Sequence, residues 1–501
     1  MQDSKEFISC IQEKNQDKKL ALCFGFEYSP SNSSKKDKTG ALILTEILSS
    51  DILSDCTALV VSSSYHWISL ELNCIAVDKD KIEQKIGFDD TAFIDYSVVC
   101  SILSELEVLS LRRKFFRQLN YSDRRYTLIN KIRFWVRIFK DYPVKIYINS
   151  NVPHLIDDYI AYRLAKYYEI PTVSAYRLPI ISGLSSRLML FSDPLMQSSP
   201  LPLAQLKSCE ANSLEDFFDF ASIYESCILK KKDIKELLKT KGESSIKADK
   251  KKRSLNLKLR LTLTSLKSRA RAIAKSIKSE QLRKRYQKYL SQMSAKCDYL
   301  YFPLHYQPEA SSRPLGGLWA DQDLLVETLA EALPLNMHLV VKEHPLQVQK
   351  RIDFREAKFY ERITSKPRVN LVSHKINSEA LIKGAKGVVT LTGTACLEAI
   401  LKKKKCFVFG ETPFKNGPGI SCPSSFQELK DELYRLSVDE YIPPGDEEVQ
   451  CFLLWLARHS VFGYLEPYTD PQLEEIWSEQ ENIAEVASAF ILSIKHLLKS
   501  Q

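Results

Sequence analysis

The sequence contains no apolar run of the ~18–20 residues that a membrane span requires. Its opening, MQDSKEFISCIQEKNQDKK, is polar and lacks the apolar core of a secretory signal, so a cytosolic location is expected. Twelve cysteines are scattered between Cys10 and Cys451, none in a C-x-x-C pair. That argues against a zinc site or a disulfide framework and for reduced, mostly buried thiols. No fixed-period repeat is present, which excludes solenoids and propellers. The one D-x-D spelling, Asp321-Gln322-Asp323, reads as the acidic opening of a helix and not as a metal motif. No metal and no cofactor are therefore expected.

What is present is a chain of 501 residues, 44% hydrophobic and 27% charged, ordinary for globular proteins. Single cores stop growing at roughly 250–300 residues, so at least two domains are expected. The formal net charge of +9 is unevenly placed. Lys230–Lys288 holds 22 Lys and Arg against 5 Asp and Glu, so the remainder of the chain carries −8. The body of the protein is thus no general nucleic-acid binder. The basic segment reads as a solvated helical spacer or as a surface for an anionic membrane. Few aromatics interleave it, which argues against RNA.

The hydrophobic pattern divides the chain into an N-terminal α/β domain over 1–225, a basic helical insert over 226–295, a second α/β domain over 296–440, and C-terminal helices over 441–501. In the first domain, Leu20–Phe26, Ala41–Leu48 and Ala58–Ser64 are candidate strands or buried segments. The strand Val144–Ser150, a helical pattern through Leu164 and the strand Pro171–Tyr176 form a β-α-β unit, hence a parallel sheet. The insert has one Gly and no Pro, and reads as helices joined by KADKKKR. In the second domain, five strands alternate with helices: Asp298–Leu304, Met337–Glu343, Val369–Ser373, Gly387–Leu391 and Cys406–Gly410. Helices are expected near Asp323–Leu333 and Phe354–Thr364. This is a doubly wound fold. The last helix, Ala484–Lys499, has an apolar face that can pack on the first domain.

Ligands of open parallel sheets bind beyond the carboxyl ends of the strands. Three polar clusters lie there: His305-Tyr306-Gln307-Pro308-Glu309, Lys342-Glu343-His344-Pro345 and Thr392-Gly393-Thr394. The Thr-Gly-Thr turn precedes a helix and either receives a phosphate or simply caps that helix. Glu398, one turn into the helix, suits a ribose diol or is a surface acid. His344 suits a phosphate contact or general acid. Lys342 is either a ligand or a plain strand-end charge. Glu309 is a candidate acid or base. In the first half, His154 and Asp157 lie at a strand-helix junction; Asp157 is a base or an acceptor-sugar ligand, or else an ordinary acid of a first helical turn.

The segments YFPLHYQPEASSRPLGG, VVKEHP and VVTLTGTACLEAILKKKKCFVFGETPF resemble the capsule polysaccharide biosynthesis family, which includes capsular Kdo transferases. The matching residues are Gln307 with Pro308, Lys342 with His344 and Pro345, Thr392 to Thr394 before Glu398 and Ala399, and Phe409 with Gly410. A weaker likeness covers Lys145–Ser174, with His154 and Asp157. Departures are Thr392 and Thr394 where many relatives have Ser, Cys396 in place of Gly, Phe414 in place of Tyr, and the basic insert.

The resemblance implies a GT-B-like fold of two Rossmann-type domains and a nucleotide-sugar donor, a CMP-sugar such as CMP-Kdo, bound by the second domain. It implies donor contacts from Gln307, Lys342, His344, Thr392, Gly393, Thr394 and Glu398, phosphate contacts being those of His344, Thr392 and Thr394. The catalytic candidates are Glu309, His344 and Asp157, with His154 and Asp157 on the acceptor side. The expected activity is glycosyl transfer to a glycan or lipid-linked surface polysaccharide, without metal, in the cytosol or at the inner face of the plasma membrane. The alternatives are an enzyme like the nucleotide-sugar 2-epimerases, or a non-catalytic scaffold of polysaccharide assembly at the membrane.

Overall fold

The structure is a computed structural model. It describes residues 11, 18–26, 39–62, 74–78, 96–178, 187–193, 195, 200–203, 276–291, 297–350, 352–355, 358–465 and 478–500. Of the basic insert only 276–291 fall within these, with a helix over 276–288; KADKKKR lies outside the described residues.

The chain forms two sheets of the same design. The first uses β1 (Lys19–Phe24), β2 (Cys56–Ser62), β3 (Cys74–Asp78), β4 (Val144–Asn149), β5 (Thr172–Leu178), β6 (Arg187–Phe191) and β13 (Val461–Phe462), in the order β13-β6-β5-β4-β1-β2-β3. β1 to β5 pair in parallel; β6 and β13 are antiparallel additions. The second uses β7 (Asp298–Pro303), β8 (Met337–Lys342), β9 (Val369–Val372), β10 (Gly387–Thr390), β11 (Lys405–Val408) and β12 (Ile420–Ser421), in the order β12-β11-β10-β7-β8-β9 and parallel throughout. The strands are continuous apolar runs because helices cover both faces. The order reverses between β1 and β4, and again between β7 and β10, so each sheet has a topological switch point.

The helices of the first domain are α1 (Thr39–Leu48), α2 (Tyr96–Ser110), α3 (Lys114–Gln118), α4 (Tyr121–Asp141) and α5 (Ile156–Tyr167). The segment Ala41–Leu48, a candidate strand or buried segment by composition, is in α1. Its buried residues Ile43, Leu44 and Ile47 recur at helical spacing, and tertiary packing decides between the two periods. The second domain adds α6 (Gln322–Ala332), α7 (Pro345–Lys350), α8 (Phe359–Thr364), α9 (Ser378–Gly384), α10 (Ala395–Leu401) and α11 (Phe426–Ser437). The helix expected over Phe354–Thr364 is shorter: Ile352–Phe354 is a 3₁₀ turn, and Arg355 turns inward before α8 begins.

After α12 (Asp446–Arg458) the chain returns to the first domain. β13 joins its sheet, and α13 (Glu479–Lys499) packs against α1, with Phe490 against Phe26 at 5.7 Å between ring centroids. This return is fastened by buried Arg187, which donates to Ser460 Oγ (2.7 Å) and to the carbonyls of Ala457 (2.9 Å) and Ser460 (2.7 Å). No helix among the described residues is long and apolar enough to cross a membrane.

Candidate functional site

A cavity of about 480 Å³ opens between the two halves, within the ~300–1,000 Å³ range of small-molecule sites. Its walls are the carboxyl ends of β7, β8 and β10 with their loops, and, from the first domain, Asn151, Val152, Tyr176 and Arg177. It therefore lies at the switch point of the second sheet, where sheet topology leaves a crevice.

Beyond β8 the loop Glu343-His344-Pro345 is held rigidly. Glu343 is wholly buried, and its carboxylate accepts from Arg355 Nε (2.9 Å) and Nη2 (3.0 Å), from Tyr360 Oη (2.8 Å) and from the His344 amide (2.8 Å). Arg355 also donates to the carbonyl of His305 (3.0 Å) and to Gln307 Oε1, so one buried guanidinium ties the loop after β7 to the loop after β8. His344, half-buried, lines the cavity with its ring 5.5 Å from that of Tyr306. Its Nδ1 accepts from the Leu346 amide (3.2 Å), which leaves Nε2 to carry the proton. Burial lowers its pKa, and the charges of Arg355 and Lys342 add to that against the pull of Glu343. The imidazole is thus a neutral N–H donor at ordinary pH. Lys342 is buried at the cavity wall and donates to Ser378 Oγ (2.6 Å).

Beyond β10, Thr392, Gly393, Thr394 and Glu398 all line the cavity. Thr394 stands at the N-cap of α10 and makes no side-chain cap bond, whereas Thr392 Oγ1 donates to the Ser311 carbonyl (2.7 Å) and fixes the turn to the β7 loop. The turn rests on His305. The Leu391 amide donates to His305 Nε2 (3.1 Å), the same nitrogen lies 3.0 Å from Thr390 Oγ1, and Thr390 Oγ1 accepts from the Gly393 amide (3.1 Å). A Cβ on Gly393 would meet His305 Cε1 and Thr390 Oγ1 at 3.0 Å each, so glycine is what allows this close seating. Burial, then the charges of His344 and Arg355, push His305 down to about 3. Its fixed role as acceptor through Nε2 agrees with a permanently neutral ring.

Glu309 stands at the cavity mouth, where desolvation raises its carboxyl; hydrogen bonding from Ser311 and the charge of Arg112 act in the opposite direction. Arg112, at the end of α2, crosses between the halves: Nη1 donates to the carbonyls of His154 (3.3 Å) and Arg313 (3.0 Å). Burial lowers its pKa to about 10, against the pull of Asp158 and Glu309. Arg313 in turn faces Glu105 of α2 at 3.5 Å.

The structure thus brings Glu309, Lys342, His344, Thr392, Gly393, Thr394 and Glu398 to one cavity. Three expected residues stand elsewhere. Gln307 is a strut: its amide donates to Gln347 Oε1 (2.8 Å), its Nε2 to the Ala320 carbonyl (2.7 Å), and its Oε1 receives Arg355. Asp157 is buried under the first domain's surface, where Lys131 Nζ lies 3.1 Å from both carboxylate oxygens and Trp135 Nε1 donates at 3.0 Å. Asp157 is not among the residues that line the cavity. The ring of His154 is turned onto the Val152 carbonyl (2.6 Å), outside the cavity wall. The residues that sequence reasoning did not single out are His305, Arg355 and Arg112. His305 stood in a strand-end cluster and was detectable there; Arg355 and Arg112 act across long sequence separations that no local pattern reveals.

Residues 251–436 match the family described as capsule polysaccharide biosynthesis protein. No curated protein matches the chain. Among solved structures, one of Thermosulfurimonas dismutans KpsC, a beta Kdo 2,7 transferase, is 11% identical, covers 74% of this chain and 97% of its own, and superposes with a TM-score of 0.29. An S. aureus MnaA–UDP structure is 10% identical over 96% of this chain and 97% of its own, TM-score 0.25. A UDP-GlcNAc 2-epimerase from Neisseria meningitidis bound to UDP-GlcNAc is 11% identical over 95% and 100%, TM-score 0.20.

Proposed function

We propose that this chain, whose residues 251–436 match the capsule polysaccharide biosynthesis family, is a glycosyltransferase that moves a sugar from a nucleotide donor to a glycan or lipid-linked acceptor of a surface polysaccharide. The observation that carries this reading is the convergence, in one cavity at the switch point of the second sheet, of a neutral histidine N–H donor, a buried lysine, an open Thr-Gly-Thr turn and a carboxylate of raised pKa. Glycosyl transfer releases a nucleotide phosphate, so the developing negative charge is what the site must stabilise. His344 Nε2–H and the Lys342 ammonium are preorganised for that: the Glu343–Arg355 pair fixes the loop before any ligand arrives. In the Thr392–Thr394 turn, the Thr394 hydroxyl, which makes no cap bond, is the donor on offer. Glu398 suits the ribose diol.

Glu309 takes the role of base. As carboxylate it accepts the proton of the acceptor hydroxyl while that oxygen bonds to the anomeric carbon and the phosphate leaves with the electron pair of the glycosidic bond. Its raised pKa brings it nearer the working pH, as proton transfer favours. This scheme requires no metal. The motif likeness to Kdo transferases makes a CMP-sugar such as CMP-Kdo the first donor to try.

The test is a product assay by mass spectrometry with CMP-, UDP- and GDP-sugars, each with and without glycan acceptors. Free nucleotide and an extended glycan, formed only with acceptor present, are expected. An epimerised nucleotide-sugar formed without acceptor would replace this reading with the 2-epimerase one. No turnover, with no nucleotide bound, would leave the scaffold.

A further inference from the structure

Tyr301 stands on β7 with its side chain wholly buried, yet it forms part of the wall of the large cavity. Comparable buried tyrosines have a partner. Tyr299, two residues back on the same face of β7, donates to the Leu381 carbonyl (2.9 Å), Tyr162 to Asp193 (2.8 Å) and Tyr360 to Glu343 (2.8 Å). Tyr301 Oη makes no hydrogen bond within the described residues. Ser378 lies beside it, but Ser378 Oγ already accepts from Lys342 (2.6 Å), and no hydrogen bond of normal geometry joins the two hydroxyls. Burial pushes the Tyr301 pKa well up, with Ser378 pulling the other way and the charge of Glu398 adding to the rise, so the hydroxyl keeps its proton. Of the buried polar side-chain atoms left unpaired among the described residues, it is the one whose residue lines this cavity.

A buried donor without an acceptor is destabilising, so such a group calls for an explanation. Its surroundings narrow what would meet it. Tyr301 has a proton to give, and the Glu398 carboxylate, on the same cavity wall, only accepts. A phosphate is repelled by Glu398, and the carbonyl of a base has no proton for it. A hydroxyl has both a lone pair and a proton, and a vicinal pair meets both side chains at once. We propose that Tyr301 and Glu398 together grip the ribose diol of the donor, Tyr301 Oη donating to one hydroxyl oxygen while the hydroxyls donate to Glu398. The protein then takes ribonucleotide sugars and rejects thymidine-diphosphate sugars, which lack the 2′-hydroxyl. Discrimination is strongest where a site is built around a hydroxyl, because the analogue without it leaves buried polar groups unpaired. The proposal rests on the nucleotide-sugar reading of the cavity and makes Tyr301 a specificity-determining residue within it.

The test is calorimetric titration of full-length wild type and Tyr301→Phe with CMP, UDP and GDP, their 2′-deoxy and 3′-deoxy forms, and their sugar conjugates. Wild type is expected to bind one ribonucleotide about tenfold or more tightly than either of its deoxy forms. Tyr301→Phe should weaken that ribonucleotide about fivefold and leave unchanged whichever deoxy form lacks the oxygen that Tyr301 meets. Without nucleotide, the variant should unfold at or above the wild-type temperature, since it loses a hydroxyl that has no partner; a hydroxyl held by structural bonds would lower it. Equal binding of ribose and deoxyribose forms by wild type overturns the proposal. So does a variant that keeps both preferences of wild type, or one that unfolds lower and loses every form alike. An effect of Tyr301→Phe seen with the sugar conjugates and not with the bare nucleotides assigns the hydroxyls to the transferred sugar and overturns the ribose grip. If wild type binds ribose and deoxyribose forms alike and His344→Ala binds neither, the phosphate site stands and the grip alone fails. If wild type binds no nucleotide, the transferase reading fails and takes the grip with it.

Discussion

The two sheets have one topology, yet their strand ends treat polar groups in opposite ways. At the end of β4 the acids are drawn inward: Asp157 is held by Lys131 and Trp135, and Asp158 closes the start of α5 by accepting from the Leu155 amide at 2.7 Å. At the ends of β7, β8 and β10 the inward work is done by Glu343, Arg355, Gln307 and His305, while Glu309, His344 and Glu398 line the cavity. A polar cluster at a strand end is therefore not yet a site. It becomes one when other residues, such as Arg355 from between two helical turns, take over the structural bonds.

The comparison can be broken most decisively at its buried pairs. Removing one member of such a pair leaves a buried charge without its partner, at ~3–5 kcal/mol. Arg355→Met, which strands Glu343, and Asp157→Asn, which strands Lys131, should both lose stability on that scale in urea unfolding. Asp157→Asn protein that remains folded should keep its turnover number. Glu309→Gln should do the reverse, lowering kcat by ~10²–10⁴ while stability stays within ~0.5 kcal/mol of wild type. If Asp157→Asn abolishes turnover and Glu309→Gln does not, the contrast between the two sheets is mistaken.

His344→Ala comes next. It removes one hydrogen bond to a charged ligand, worth ~1.5–3 kcal/mol, and should weaken nucleotide binding accordingly without changing the midpoint of unfolding appreciably.

Acid sharpens the picture. His305 is held neutral in the fold down to about 3, against an ordinary 6.5. The unfolded chain therefore binds a proton that the folded one refuses, so stability falls as pH drops from 6.5 toward about 3, by ~1.4 kcal/mol per pH unit for this one group. Above 6.5 the group contributes no slope. His305→Gln should flatten that stretch of the stability curve by this amount, whatever its effect on stability at neutral pH. The smallest effect is expected at Arg112. Its charge holds the Glu309 carboxyl down against desolvation, so Arg112→Gln should move the acid limb of the kcat profile to higher pH and leave the alkaline limb in place.

Much of the second domain was legible in the sequence, since β7 to β11 are short apolar runs ended by polar clusters, and the strand-end rule places those clusters at the crevice. The likeness to the capsule family rests on the same segments. What escaped was decided by packing over distance. Ala41–Leu48 is apolar enough for either period, and its burial against α13, more than 400 residues away, settles it as a helix. Asp157 reads as a strand-end acid until Lys131 and Trp135, on α4, are seen to enclose it. Gln307, a donor contact by resemblance, has its side-chain oxygen taken by Arg355, which lies between two helical turns far along the chain. In each case the deciding partner is remote in sequence, and no local pattern announces it.

The central claim, that the cleft holds a nucleotide by its phosphate against His344, is tested most directly by calorimetric titration of CMP, UDP and GDP into wild type and His344→Ala. The account expects one nucleotide to bind wild type and to bind the variant tenfold or more weakly. Binding of none of the three, or equal binding to both proteins, would contradict it.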